Sequence, residues 1–242
     1  MLICDPQEFE STNVNRVYGS SKSDDGKQKS AIAQRNLEHI NTGTQIVVVD
    51  SDTFNKTAIK QLATCDFVFN CTDDEFSRAV ASRLSLYYLI PVFDMGVEID
   101  SSGGVIKSVR GRVTTLLPGS PCVFCRGIAT SDVISAEVMS RNNPEEYARQ
   151  RKQGYVPELA GTAPSVVMFT TSVASAAVSE MLQRLTGLMG NDRTSTEVIL
   201  RFDESKMSTN TKRHREGCWC SRPEYWGRGD VDSLLDQTWG TA

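Results

Sequence analysis

A short apolar run, Phe67-Val68-Phe69, ends in Asn70-Cys71-Thr72-Asp73-Asp74 and passes at once into a helical pattern from Glu75. In an open α/β sheet, ligands bind at the carboxyl ends of the parallel strands. Two adjacent carboxylates at such an end can hold a divalent cation and, through it, the phosphates of a nucleotide. The same residues also suit a plainer purpose, with Thr72 or Asp73 capping the first amides of the helix. The rest of the chain decides between these readings.

That chain alternates. Leu2-Ile3-Cys4 reads as a strand almost at the first residue, and a helix follows from Lys29 with Ala33, Leu37 and Ile40 on one face. Residues 45–50 form a continuous apolar run, expected to be a buried parallel strand. A short helix over 57–64, the strand from Asp66, the helix through Leu89 and a strand at 91–96 complete the series. Strands and helices in turn specify an α/β fold with a Rossmann-like, mainly parallel sheet and flanking helices. Residues 105–117 then read as a β extension after a turn at 101–104. Residues 131–161 are charged and poor in aliphatics, which predicts a mobile loop with short helices near 133–139 and 144–153. The segment from Ala163 to Leu188 predicts an apolar helix buried on most sides, and 197–202 a further strand; the tail after Cys220 has no readable pattern.

Composition narrows the function. Hydrophobic residues are 39% and charged residues 23% of 242, enough for a sizeable core. A net charge of -4 argues against a general nucleic-acid binder. No run of 18 apolar residues and no signal-like start is present, so the expectation is a cytoplasmic protein without a membrane partner. Seven cysteines are unevenly spaced. Cys122-x-x-Cys125 and Cys218-x-Cys220 offer four thiolates in two tight pairs, which suits a structural zinc site, a four-cysteine knuckle. Disulfides and unpaired thiols are the competing readings; Cys4, Cys65 and Cys71 fit buried core thiols. His39 reads as a helix-surface residue and His214 as part of a solvated basic loop.

Asp5-Pro6, Glu10-Ser11, Asn13, Arg16, Gly26, Lys29, then Cys71-Thr72-Asp73-Asp74 with Arg78, then two cysteine pairs, follow one another in an order that resembles the ubiquitin-activating E1-like family. That group includes the molybdopterin-synthase and thiamine-sulfur-carrier adenylyltransferases (ThiF, MoeB, HesA). The similarity runs from Met1 to about Cys220, which makes 1–220 the adenylation domain and 221–242 a C-terminal tail. It implies ATP-dependent adenylation of the C-terminal glycine of a ubiquitin-like or sulfur-carrier protein, commonly by a homodimer or pseudo-dimer. It also implies roles: Asp5 on the ribose hydroxyls, Asn13, Arg16 and Lys29 on the phosphates, Asp73 on Mg²⁺, and Arg16 with Asp73 as the catalytic pair. Transfer at phosphorus needs positive charge on the phosphate oxygens and a metal clamp rather than a dedicated nucleophile.

The pattern departs from the family in three places. The opening strand and glycine-rich phosphate loop are missing, so the resemblance implies an N-terminally truncated domain, with weak ATP binding for want of backbone amides. Gln7 stands where a second aspartate is usual, and Asp74 where asparagine is common. No cysteine lies between Cys125 and Cys218, so a thioester with the carrier is not expected. The alternative is a catalytically silent E1-like binding module that docks a carrier or partner subunit. A nicotinamide oxidoreductase shares the α/β pattern but not the cationic loop or the cysteine pairs, and no Gly-x-Ser-x-Gly elbow supports a hydrolase.

Overall fold

A computed structural model of the chain describes residues 1–102, 104–159, 166–188, 190, 194–231 and 234–236. β1 (Leu2–Cys4) leads through two 3-10 turns to α1 (Lys29–Ile40), β2 (Val47–Val49), α2 (Lys56–Leu62), β3 (Val68–Asn70) and α3 (Glu75–Tyr88). β4 (Val92–Ser102) and β5 (Val105–Leu116) form a long hairpin, followed by α4 (Val123–Arg126), α5 (Ser131–Asn142), α6 (Pro144–Gln153) and α7 (Val167–Thr186). β6 (Glu197–Arg201) and β7 (Lys206–Asn210) close the sheet.

Parallel pairing joins β1 to β2 and β3 to β4, each through a helical crossover as the alternation requires. From β4 onward the ladders are antiparallel, in the order β3-β4-β5-β6-β7, so the β extension continues the sheet that carries the strand-end motif. Successive side chains of β4 point to opposite faces, and this divides the core. Val92 joins Val80, Leu84, Ile59, Leu116 and Val123 beneath α3, while Phe93 and Met95 pack with Val173 and Ala177 of α7. Gly111 lets α7 approach β5, since a Cβ there would stand 2.4 Å from Val173 Cγ2.

Several expectations are corrected. The helices expected near 133–139 and 144–153 are present, the first extended to Ser131–Asn142, so that capped helices replace the loop expected around them: Thr130 Oγ1 accepts from the Val133 amide, and Asn143 Oδ1 from the Glu146 amide with Pro144 in the first turn. α7 is not buried on most sides; only Val173, Ala177 and Glu180 are, while Val178, Leu182 and Leu185 are exposed. Ala163 and Gly161 lie outside the described residues, as do Gly103 and Trp239. β2 is half-buried to exposed, although apolar throughout. In α1 the fully buried apolar residue is Ile32, and Ile40 is exposed. Cys4 and Cys65 are half-buried and Cys71 is exposed, so none is a core thiol. The tail is anchored: Leu234 and Leu235 are buried in the α3 cluster, and Trp226 covers Gly119.

Candidate functional site

The strand-end motif lies where the sequence puts it, but the capping residue is Asp74, neither Thr72 nor Asp73. Asp74 Oδ1 accepts from the Ser77 amide at 2.6 Å. The preceding α3 amides, of Glu75 and Phe76, donate to the Glu137 carboxylate of α5 at 2.9 and 2.8 Å. Burial pushes the Glu137 carboxyl up, with those two amides opposing. In return Glu75 accepts from the Thr130 amide at 2.7 Å, so α3 and α5 cap one another. Asp73 is exposed and, among the described residues, has no hydrogen-bond or ion-pair partner. An unengaged carboxylate at a strand end is a fit ligand for a hard divalent cation.

Behind this loop lies a buried polar network that sequence reasoning missed. Asp94 of β4 is fully buried, and its carboxylate accepts from Arg78 Nη1 on both oxygens at 2.8 Å, from Arg112 Nη1 at 2.8 Å and from Asn70 at 2.8 Å. Arg78 Nη2 also donates to the Thr72 carbonyl at 2.6 Å, so this side chain holds the loop that presents Asp73. Arg112 continues to Thr114, which reaches Glu197 at 3.5 Å, and Glu197 pairs with buried Arg126 at 3.7 Å. Arg126 Nε donates to the Pro121 carbonyl beside the first cysteine pair. The available signal was register: Asp94 sits opposite both Asn70 and Thr114, with Arg112 two residues from Thr114 on the same face.

The residues assigned to nucleotide binding form two local groups. Asp5 Oδ1 accepts from the Gln7 amide at 2.8 Å, Lys29 Nζ donates to Gln7 Oε1 at 2.6 Å and the Lys29 amide to the Gln7 carbonyl at 2.9 Å, which joins the end of β1 to the start of α1. Arg16 donates to Asn13 Oδ1, to the Thr12 carbonyl at 3.3 Å and to Asn15 at 3.4 Å, and so closes on its own turn. Buried Asp24, which the sequence did not single out, ties the loop down through Lys27 at 2.9 Å and Arg35 at 2.7 Å. These two cations, Arg35 foremost, hold its carboxyl well below the usual carboxylate range. No ion pair or hydrogen bond links Arg16 or Lys29 to Asp73 among the described residues. The two strand ends are nonetheless neighbours: the Cys71 thiol, withdrawn from water although the residue as a whole is exposed, is pushed up to about 11, with Asp94 and Asp5 adding to the shift and Arg78 opposing it.

The four cysteines converge. Their sulfurs all lie within 4.8 Å of one another, with Cys122–Cys218 at 3.7 Å, Cys125–Cys220 at 3.6 Å and Cys218–Cys220 at 3.5 Å. A tetrahedron with metal–sulfur bonds of about 2.3 Å has edges of about 3.8 Å, so this donor set fits a closed tetrahedral metal site. The spacing is far longer than a disulfide of about 2.05 Å. Four thiols this close do not ionise alike: Cys122 is drawn down to about 5, first by hydrogen bonding from Cys220, and burial pushes Cys218 up to about 11. His214 is corrected from a solvated residue to a neighbour of the cluster, with Nδ1 3.2 Å from Cys220 Sγ and Nε2 3.1 Å from the Gly119 carbonyl. Trp219 packs against the α3 core with Arg83 5.6 Å over its ring, and Trp226 Nε1 donates to the Cys220 carbonyl at 3.2 Å.

The chain is 30% identical over 124 residues to the adenylyltransferase and sulfurtransferase UBA4 of Meyerozyma guilliermondii, across 51% of this chain and 27% of that protein. Escherichia coli MccB solved with ATP superposes with a TM-score of 0.63 at 13% identity, covering 90% of this chain and 58% of MccB. The microcin C7 biosynthetic enzyme MccB in complex with N-formylated MccA gives 0.66 at 14%, covering 91% and 60%. PaaA gives 0.51 at 14%, covering 86% and 63%. The chain thus spans about a quarter of the curated relative and about three fifths of the solved neighbours. No helix among the described residues is long and apolar enough to cross a membrane. The ThiF family model matches residues 1–220, and the chain belongs to that family.

Proposed function

We propose that this chain adenylates the C-terminal glycine carboxylate of a ubiquitin-like protein, sulfur carrier or peptide, using ATP and Mg²⁺. One observation carries the reading: among the described residues Asp73 has no hydrogen-bond or ion-pair partner, at the end of β3 on a loop that Arg78 fixes through Thr72 and Asp94. A carboxylate held in place but left unengaged is what a magnesium clamp requires. In the reaction a carboxylate oxygen of the carrier forms a bond to the α-phosphorus of ATP, and the bond to pyrophosphate breaks with its electron pair. Asp5 would take the ribose hydroxyls, and Asn13, Arg16 and Lys29 the phosphates. Arg16 and Lys29 would exchange Asn13 and Gln7 for phosphate oxygens. The four cysteines would hold zinc as a structural clamp, and the exposed Val178, Leu182 and Leu185 of α7 offer a surface for a homodimer or pseudo-dimer. The test is ATP–pyrophosphate exchange with glycine-terminated carriers, in which Asp73→Asn is expected to lower the rate by about 100-fold or more. No exchange by the wild type, or equal exchange by the variant, rejects the proposal.

A second reading, a catalytically silent module that docks a carrier, has its own support. The amides at the head of α3 are occupied by Glu137 and Asp74, and Arg16 and Lys29 are engaged by Asn13 and Gln7. It requires carrier binding that is equal with and without ATP and unchanged by Asp73→Ala.

A further inference from the structure

We propose that Arg78 and Arg112, converging above Gly96 of β4, form a binding site for a carboxylate, and that its ligand is the C-terminal carboxylate of the protein or peptide to be activated. The site itself stands on geometry; the identity of the ligand rests on the adenylation reading.

Gly96 pairs with Arg112 across the β4–β5 ladder. Nη2 of Arg112 and Nη2 of Arg78 each lie 3.4 Å from the point where a Cβ on Gly96 would stand. The backbone there is not in the left-handed region, so glycine is not required for conformation. What glycine provides is the absence of a side chain at this point, where even a methyl group would already touch both guanidinium groups. Their hydrogen-bond inventory is incomplete. Arg112 Nη1 spends its two N–H groups on Asp94 and Thr114, while its Nη2 has no partner among the described residues. Arg78 Nη2 uses one N–H on the Thr72 carbonyl and keeps the other. Both side chains reach solvent, at 10% exposure for Arg78 and 20% for Arg112, so their remaining N–H groups can meet a ligand from that side.

Charge selects the ligand. Two guanidinium groups share the single carboxylate of Asp94, and the next pair outward, Arg126 with Glu197, is already balanced. One positive charge is left over in a largely buried place, and one carboxylate neutralises it. Burial and the adjacent Arg78 pull the Arg112 pKa down, opposed by Asp94, so an added anion relieves an unfavourable neighbourhood. A planar carboxylate also matches the forked donors that two guanidinium groups present. Since Arg78 grips the Thr72 carbonyl, a carboxylate here lies next to the loop that carries Asp73.

The test titrates the ¹⁵N-labelled full chain with a hexapeptide ending in Gly-Gly, as its free carboxylate and as its C-terminal amide. Arginine Nε–Hε signals are followed, with that of Arg112 assigned by its loss in Arg112→Gln. The carboxylate is expected to shift this signal saturably, with a Kd at least about tenfold below that of the amide. Gly96→Ala puts a methyl group in ordinary contact with both Nη2 atoms without a clash. It is therefore expected to keep the melting temperature and abolish the preference. Equal response to the two peptides, no saturable shift with the carboxylate, or tighter binding of inorganic phosphate overturns the proposal. If pyrophosphate exchange fails while carboxylate binding holds, the adenylation reading falls and the site stands. If exchange proceeds while the preference is absent, the site alone falls.

Discussion

Replacing Asp94 by alanine tests the buried network directly. The carboxylate is 0% exposed and accepts four hydrogen bonds at 2.8 Å, two of them from Arg78 Nη1 and one each from Arg112 and Asn70. At an effective dielectric constant of about 20, each ion pair at such a distance is worth about 6 kcal/mol of Coulomb energy before desolvation. The two pairs share one acceptor and do not add. Removing the shared partner leaves two largely buried guanidinium groups facing each other. Breaking one buried pair this way typically costs about 3–5 kcal/mol, so Asp94→Ala is expected to lose at least about 3 kcal/mol. That is a large share of a typical domain stability of about 5–15 kcal/mol. Urea unfolding followed by circular dichroism measures it, with the slope checked against wild type so that the midpoint shift reports stability. The double variant Asp94→Ala/Arg112→Gln removes one stranded charge and should recover part of the loss. A loss below about 1 kcal/mol, or a double variant no better than the single, refutes the claim that opposed charges hold this end of the sheet.

Three further outcomes follow from the same coordinates. If the cysteine cluster holds zinc, freshly purified protein contains about one zinc per chain by metal analysis, and chelation lowers the melting temperature while the far-UV spectrum at low temperature is retained. Gly111→Ala forces a methyl group to 2.4 Å from Val173 Cγ2 and 3.0 Å from Phe202, and calorimetry should show a loss of about 1–3 kcal/mol from this overpacking. The Asp24 carboxyl is depressed by Arg35 and Lys27, so its contribution is present above the unfolded carboxylate value of about 4 and is lost as pH falls toward the folded value. Wild type should therefore lose more stability than Asp24→Asn between pH 5 and pH 2; parallel pH profiles would contradict the assignment.

The fold was legible where local chemistry and tertiary demand agree. β3 and the start of β4 fall in the apolar runs, with Val68, Val92 and Phe93 buried, and α1, α2 and α3 start close to where periodicity puts them. Legibility failed where burial is decided by neighbours. The Val47–Val49 run of β2 has the composition of a core strand, yet β2 pairs only with β1 among the described strands and remains half-open. α7 is apolar on several faces, but the sheet covers only the one carrying Val173 and Ala177. α6 was legible at its full bounds for a different reason, its capping chemistry. None of its residues is buried, so no apolar face marks it, and the Asn143-Pro144 cap with an acidic first turn is the signal that does. β7 likewise lies at the sheet edge with no buried residue, and nothing in its composition marks it as a strand.

The candidate site divides along the same line. The cysteine pairs were readable because short chelating turns announce themselves in spacing, while the part His214 plays beside Cys220 depends on a contact with the Gly119 carbonyl, 95 positions away. Asp73 was readable from its place at a strand end, but the capping role falls to Asp74, and Asp73 is left without a partner among the described residues. Asp94 and Arg112 were invisible for a physical reason. A buried charge is tolerable only with its partners in place, and those partners come from β3, α3 and β5, up to 24 residues away in sequence. From sequence alone, Asp94 interrupts an apolar strand and Arg112 is one basic residue among several. Only the register that sets Asn70 and Thr114 opposite Asp94, and Arg112 opposite Gly96, turns them into one network. Its unequal charge count, two arginines to one aspartate, turns that network into a place for an anion.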